Sequence, residues 1–376
     1  ASRGIGLEIV RQLLESPDNL VVAACRTPDK ATALSALKDT VKGTLHIVQL
    51  DTSDFDSVRA LPAQLEPILG STGLDYLINN AGIGADDTAF KFDPEKMLTV
   101  FRTNTIGPAL VSQVTLPFLE KGTAKKILHV SSTLGSIASS DEWGAHGASY
   151  SMSKSALNML TYKQKAERPD LIAITLCPGW VKTDMGTQAA KLEPAESVAG
   201  ILKVITTATK EDSGKYIRYN GEIIPCNAGI WIHDTAFTLD PDALLTLVRT
   251  NVAGPALLAQ VVLPLLAAAP TKKVLHISST GGSIGSVAQI PREFARLASY
   301  PISKAALNML VCKQSVERPD LTVIALCPGW VQTDMGGEGA VLTPEESVAG
   351  IIKVITTATK EESGKFLRYD GASVPW

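Results

Sequence analysis

The chain has 376 residues, enough for two domains or one large one. Hydrophobic residues make up 45% of it, which supports a packed core, and a formal net charge of −3 gives no electrostatic footprint for nucleic acid or a membrane surface. Five cysteines (Cys25, Cys177, Cys226, Cys312, Cys327) show no CxxC spacing and an odd count, the pattern of reduced thiols in the cytosol, and no motif for a metal stands out.

No basic-then-apolar leader opens the chain, so a signal peptide is not expected and a cytoplasmic location is. Residues 4–14 predict a helix rising from a glycine-rich turn, Ser2-Arg3-Gly4-Ile5-Gly6, where backbone N–H groups can approach a phosphate. Residues 20–25 predict a buried strand followed by Arg26. A helix over 29–38, a strand over 45–50 ending at Asp51, a helix over 54–69 and a strand over 74–78 come next. That strand runs into Asn79-Asn80-Ala81-Gly82. Alternating strand and helix predicts a parallel sheet with helices on both faces.

Asp93-Pro94 is a helix start, a cap followed by proline at the first position. The helix it opens contains Gly107-Pro108. Proline has no N–H for the carbonyl four residues back, so the Asn104 carbonyl loses its donor, which either serves packing as a kink or leaves a place for a water. Residues 125–130 predict a strand ending at Ser131-Ser132, and residues 171–177 another ending at Pro178-Gly179-Trp180. Residues 255–270 are the most apolar stretch; with Gln260 and Pro264 inside, they predict a buried helix rather than a membrane span.

Between those two strands lies Tyr150-Ser151-Met152-Ser153-Lys154. On a helix, Tyr150 and Lys154 share one face a turn apart. An ammonium beside a phenol favours the phenolate, so the tyrosine pKa is expected to fall toward the working pH and to suit proton transfer. YxxxK alone is common on solvated helix faces; here the candidate residues all fall at strand ends or on the next helix, where open α/β sheets bind ligands.

The chain also repeats itself. Asn80-Ala81-Gly82, Asn104 and Ser132 recur 147 residues later as Asn227-Ala228-Gly229, Asn251 and Ser279. Tyr150 and Lys154 recur 150 residues later as Tyr300 and Lys304, and residues 196–209 return almost unchanged at 346–359. Residues 1–78 have no second copy. Cys226 aligns with Trp376 by the offset of 150 and with Asn79 by the offset of 147, so both registers meet there. The seam divides the chain into a first domain, 1–225, and a partial second copy, 226–376. It reads either as a true fusion or as two neighbouring coding sequences joined.

The glycine turn, the Asn-Asn-Ala-Gly run, Ser132, Tyr150-xxx-Lys154 and Pro178-Gly179 together resemble the short-chain dehydrogenase/reductase family. PGWVxTDMG and SGKxxRYxG resemble its sniffer/C-factor-like carbonyl reductases and the fungal norsolorinic acid ketoreductase-like branch. The resemblance implies a Rossmann-like doubly wound parallel sheet and an NAD(P)(H)-dependent reaction at a carbonyl or alcohol carbon of a small molecule. It implies Tyr150 as acid/base, Lys154 on the tyrosine and the nicotinamide ribose, Ser132 on the substrate oxygen, and Asn104 holding a relay water. Gly4, Ile5 and Gly6 would form the pyrophosphate turn, Asp51 the adenine pocket, Asn80 and Gly82 the cofactor floor, and Pro178, Val181 and Thr183 the surroundings of the carboxamide. Arg26, with Arg3 as a second cation, favours a 2′-phosphate and so NADP(H) over NAD(H).

The family's first strand and first glycine are absent ahead of Ala1, and that strand is central in the 3-2-1-4-5-6-7 order. Losing about four buried aliphatic side chains costs on the order of 6–12 kcal/mol, against a usual total of about 5–15. The expectations are an unpaired gap inside the sheet, poor cofactor binding by the chain as written, and about ten further N-terminal residues in the biological protein. The second copy keeps Asn251, Ser279, Tyr300, Lys304 and Pro328-Gly329 without the phosphate-binding half. It is expected to be silent alone and to pack on the first as an intramolecular pseudo-dimer, or to leave a homodimer. The loops before the tyrosines differ, with Trp143 and His146 in one and Arg292, Glu293 and Phe294 in the other, a pattern of diverged substrate pockets. A non-catalytic dinucleotide sensor or interaction protein is the alternative function.

Overall fold

A computed structural model describes residues 1–137, 144–224, 235–287, 297–333, 335–336 and 339–376. The seam at 225/226, Asn227-Ala228-Gly229, Trp143, Arg292, Glu293 and Phe294 lie outside the described residues.

The glycine turn opens directly into α1 (Gly4–Leu13), which turns Gly6, Ile9 and Val10 inward. After β1 (Leu20–Cys25) the expected helix over 29–38 is broken into α2 (Thr32–Ser35) between two 3₁₀ turns. Pro28 starts the first turn and Ala31 leaves helical geometry at ψ 55°, which interrupts the hydrogen-bond run. β2 (Thr44–Gln49) pairs in parallel with β1. The expected helix over 54–69 is two, α3 (Phe55–Arg59) capped by Asp54 and α4 (Leu61–Leu69). They divide at Ala60, where Pro62 cannot donate to the preceding turn.

β3 (Tyr76–Asn79), α5 (Pro94–Phe101), α6 (Gly107–Lys121), β4 (Lys126–Val130), α7 (Ala148–Glu167), β5 (Ile172–Cys177), α8 (Pro194–Thr207) and β6 (Tyr216–Arg218) complete the N-terminal repeat. The C-terminal repeat holds α9 (Pro241–Val248), α10 (Gly254–Ala268), β7 (Lys273–Ile277), α11 (Ile284–Val287), α12 (Ser299–Glu317), β8 (Thr322–Cys327), α13 (Pro344–Thr357) and β9 (Phe366–Arg368).

All strand pairings between these elements are parallel, in the orders β1-β2, β3-β4-β5-β6 and β7-β8-β9. This is a Rossmann-like α/β fold with the sheet of the N-terminal repeat divided between β1 and β3. The strands beside that division are less covered than β4 and β5: Leu20 and Tyr76 are exposed and Val21, Val22, Leu77 and Ile78 half-buried, whereas β4 and β5 are buried throughout. The Ala1 ammonium donates to the Ala24 carbonyl at 2.7 Å, so the chain starts against β1.

The expectation of a buried helix over 255–270 is overturned. The helical run Pro241–Ala268 has a window of mean hydropathy 1.7 of which 22% is buried, and by length and composition it is long and apolar enough to cross a membrane. The reason lies in what is missing beside it. In the N-terminal repeat, α6 packs under α3, α4 and β3, burying Val111 and Phe118 at 3% and 4% exposure. Their equivalents Leu258 and Leu265 on α10 are 64% and 73% exposed, because no second copy of α3 or α4 exists to cover them.

The two repeats pack through α7 and α12, the most extensively contacting pair of elements. Met152, Ala156 and Leu160 share one core with Ile302, Ala306 and Leu310. The contacts are reciprocal, as at an isologous interface. Glu167 accepts hydrogen bonds from the Thr235 hydroxyl and, at 3.0 Å, the Phe237 amide. Glu317 accepts from the Thr88 hydroxyl at 2.6 Å and the Phe90 amide at 3.0 Å. Lys163 and Lys313 are fully buried on these helices, and Lys313 donates to the Gly144 carbonyl at 2.9 Å.

Candidate active site

The sequence around Asn104 widens its helix. Residues Arg102–Ile106 form a π turn, closed by the Gly107 amide on the Arg102 carbonyl, between α5 and α6. Asp93 caps α5 through its side chain, as the Asp-Pro start implies. Single π turns relieve a local misfit in an α-helix and often lie at functional sites. Gly107 is required here, since a Cβ would stand 2.3 Å from the Thr52 carbonyl oxygen. Arg249–Ala253 repeats the turn around Asn251. The Asn104 side chain is fully buried and committed: its carbonyl accepts from the Ile83 amide at 2.8 Å, and its amide donates to the Ile83 carbonyl at 2.9 Å and the Ser153 hydroxyl at 3.0 Å.

Ser132 follows β4, with its hydroxyl accepting from the Leu134 amide at 3.3 Å. Tyr150 and Lys154 lie on the first turns of α7, with the Lys154 nitrogen 5.6 Å from the phenol ring centroid and donating to the Val130 carbonyl at 2.8 Å. The expected fall of the tyrosine pKa is not what this geometry gives. Burial pushes Tyr150 up to about 12; a hydrogen bond with Ser132 offsets part of that, and nearby Cys177 adds to it. The lysine is directed at a backbone carbonyl, and desolvation of the phenolate wins. Burial likewise pulls Lys154 down to about 8.

Gly82 packs between these groups: a Cβ there would lie 3.4 Å from both the Lys154 nitrogen and the Asn104 side-chain oxygen. Gly6 makes a similar approach, its would-be Cβ 2.8 Å from the Asn80 side-chain nitrogen. Gly4, at φ +54°, packs against Thr183, so the glycine turn meets the loop after β5. Ile5 packs with the core beneath that sheet. Arg3 pairs with Asp184 at 2.7 Å on the open surface, so it is not an unengaged second cation. Arg26 is exposed at the end of β1 and makes no ion pair among the described residues. Asp51 accepts from the Ser53 amide at 2.9 Å and hydroxyl at 2.7 Å, shaping the turn into α3. The Pro178 carbonyl accepts from Ser197 at 2.7 Å, Val181 is buried, and Thr183 accepts from the Gly186 amide at 3.1 Å.

The C-terminal repeat holds the same arrangement without a dinucleotide half. Asn251 donates to Ser303 at 3.0 Å, Lys304 to the Ile277 carbonyl at 2.9 Å, and Ser279 accepts from the Gly281 amide at 3.2 Å. Burial moves Tyr300 up to about 12 and Lys304 down to about 8.

Sequence reasoning missed a buried polar network behind the site. His129, fully buried and pulled down to about 4 chiefly by burial, meets Gln164 at 2.8 Å and Asn79 at 3.3 Å. The Ser131 hydroxyl donates to Asn158 at 2.7 Å. Its only signal was the repeat: His276 meets Gln314 at 2.7 Å, and Ser278 donates to Asn308 at 2.6 Å. Asp87, Asp184 and Cys177 were also missed, since each acts through a neighbour distant in sequence. A cavity of about 490 Å³ opens among Gly179, Trp180, Lys191, Leu192, Glu196 and Tyr219, and its lining includes neither Tyr150 nor Lys154. Among the described residues no three His, Cys, Asp or Glu side chains converge as a metal site.

A parallel α/β sheet with a Tyr-xxx-Lys helix and a serine at the neighbouring strand end defines a dinucleotide-fold oxidoreductase. The short chain dehydrogenase pattern matches residues 1–193 and 222–340, and the chain belongs to that family. C-signal of Myxococcus xanthus is 39% identical over 155 residues, 40% of this chain and 92% of that protein. Norsolorinic acid ketoreductase of Aspergillus parasiticus is 32% identical over 230 residues, 58% of this chain and 85% of that protein. The crystal structure of NADPH-bound carbonyl reductase from chicken fatty liver is 37% identical, superposes with a TM-score of 0.57, and matches 60% of this chain and 91% of its own. The chain is an oxidoreductase of the short-chain dehydrogenase type.

Proposed function

We propose that the chain reduces a ketone or aldehyde to the alcohol with NADP(H), using Tyr150 as the proton donor. One observation carries this reading: Tyr150 and the buried Lys154 lie on the first turns of α7, the Lys154 nitrogen 5.6 Å from the phenol ring centroid, with Ser132 at the neighbouring strand end and Asn104 and Lys154 both beside Gly82. The glycine turn, the Asn80 and Gly82 floor and Arg26 are the residues that would hold a dinucleotide, beside the division of the sheet. Gly4, at φ +54°, and Gly6 let the turn into α1 close against Thr183 and Asn80, Gly82 lets Asn104 and Lys154 approach each other, and the exposed Arg26 suits a 2′-phosphate. The NADPH-bound carbonyl reductase from chicken fatty liver supports the choice of cofactor.

When bound, the nicotinamide supplies the hydride to the carbonyl carbon. Ser132 holds the carbonyl oxygen by a hydrogen bond. Tyr150, with its pKa near 12, is a neutral phenol throughout the working range, so it gives its O–H proton to that oxygen as negative charge develops. Lys154, charged at neutral pH, stabilises the phenolate left behind. The Asn104 carbonyl, which Pro108 cannot serve as donor, holds a water that returns a proton toward this group. Trp180 and Met185, exposed on the loop after β5, offer apolar surface to an aromatic substrate.

A second reading, a dinucleotide-binding protein without turnover, is favoured by the division of the sheet between β1 and β3. Loss of NADPH absorbance over a panel of aliphatic and aromatic carbonyls, with NADPH binding measured in parallel, separates them. Turnover supports the reductase; saturable binding with no turnover on any carbonyl supports the second reading.

A further inference from the structure

We propose that Glu317, in the C-terminal repeat, is a positioning residue for Tyr150 in the N-terminal repeat, acting through the loop 83–92. This rests on the reductase reading above.

That loop carries no named helix or strand and touches the site at two places. At Ile83 its backbone exchanges both hydrogen bonds with the Asn104 side chain. At Asp87 it caps the Tyr150 helix: the Asp87 carbonyl accepts from the Gly147 amide at 2.8 Å, and the Asp87 carboxylate accepts from the Ser149 amide at 3.1 Å and the Ser149 hydroxyl. The first turn of a helix has N–H groups with no partner inside it, and an anionic acceptor there fixes both the start and the direction of the helix. Tyr150 is the next residue.

What holds Asp87 in place comes from the other repeat. Thr88, its neighbour, donates its hydroxyl to one Glu317 oxygen at 2.6 Å, and the Phe90 amide donates to the other at 3.0 Å. Bonds to a carboxylate are the stronger kind. The Phe90 ring is buried in a cluster with Val311, Leu321, Phe366 and Val374, all from the C-terminal repeat. Within the loop itself, Thr88 and Lys91 form one isolated bridge. The loop is therefore anchored on Glu317 at one end and on the Tyr150 helix and Asn104 at the other. The C-terminal repeat, without a dinucleotide half of its own, serves as part of the frame of the N-terminal site.

The test compares the full chain with Glu317→Ala, Glu317→Gln and Glu167→Ala. The last removes the mirror-image clamp on Thr235 and Phe237 and controls for general loosening of the interface. Amide exchange at residues 147–151 is read without substrate; kcat and KM are read with NADPH and the best carbonyl of the panel. Glu317→Ala is expected to raise exchange at Ser149 and Tyr150 about tenfold and to lower kcat about tenfold, with KM moving less than about twofold. Glu317→Gln, which keeps one acceptor, is expected to recover kcat to within about threefold, and Glu167→Ala to leave both readouts within about twofold. Equal kcat losses in Glu317→Ala and Glu167→Ala, or unchanged exchange at 147–151 in Glu317→Ala, overturn the proposal. If the unaltered chain turns over no carbonyl, the reductase reading fails, and the exchange result alone decides whether Glu317 holds the helix start.

Discussion

Lys154 donates its buried ammonium to the backbone carbonyl of Val130, the last residue of β4, at 2.8 Å. The C-terminal repeat makes the same bond from Lys304 to Ile277, the last residue of β7, at 2.9 Å. In both repeats a strand end, not the tyrosine, fixes the lysine. The ammonium reaches the phenol through space, and its charge is available only while it holds its proton.

On the proposed mechanism, that charge sets a pH limit on reduction. With Lys154 pulled down to about 8 and Tyr150 pushed up to about 12, the phenol stays protonated while the lysine neutralises. Carbonyl-dependent NADPH oxidation should hold level to about pH 8 and decline above it. A kcat/KM profile flat to about pH 10 would remove Lys154 from the mechanism.

Stability should move in the opposite sense over the same range. Lys154 and Lys304 are lowered to about 8 and Lys163 to about 7 by burial. Between those values and the ordinary lysine pKa the unfolded chain binds more protons than the folded one, so stability rises with pH. Tyr150 and Tyr300, raised to about 12, hold their protons in the folded chain after the unfolded chain has lost them, so stability falls above the ordinary tyrosine range. Tm measured by calorimetry should climb from about pH 7 to a maximum near pH 10 and drop beyond it. A Tm falling steadily from pH 7 would contradict the burial of these lysines.

Phe118 and Leu265 occupy equivalent positions with opposite surroundings, at 4% and 73% exposure. Phe118→Ala should cost about 3–5 kcal/mol in a urea titration, and Leu265→Ala less than about 0.5 kcal/mol. Comparable losses at the two sites would mean that something covers α10 in solution.

Tyr150→Phe should lower carbonyl reduction about 10²–10⁴-fold and leave NADPH affinity within about twofold, because the phenyl ring keeps its packing and loses only the transferable proton. Adding Tyr300→Phe should change the residual rate no further. Substantial activity left in Tyr150→Phe and removed by the second substitution would assign turnover to the C-terminal repeat.

The site was legible in the sequence wherever its parts are local. The spacing of Tyr150 and Lys154, the Asp93-Pro94 cap and the proline behind Asn104 each act within a turn or two of chain. The helix over 29–38 and the undivided helix over 54–69 were misread because hydrophobic pattern outweighed the local effects of Ala31 geometry and Pro62. The tyrosine pKa was misread for a different reason. A charge four residues away can be counted on a helix, but the desolvation that outweighs it depends on everything packed around the phenol.

Sequence alone determined the alternation of strand and helix, the repeat with its two registers, and the residues that recur in it, because hydrophobic period and glycine or proline geometry are properties of short segments. The gap that leaves β1 and β3 unpaired also follows from the sequence, because the strand that lies between them in the family order is absent. Only the tertiary structure decided that α10 lies open where α6 is covered, and that Glu317 grips the loop feeding the Tyr150 helix. Those outcomes depend on which surfaces are left after packing, and residues 229 positions apart, such as Thr88 and Glu317, meet only once the two repeats have closed on each other.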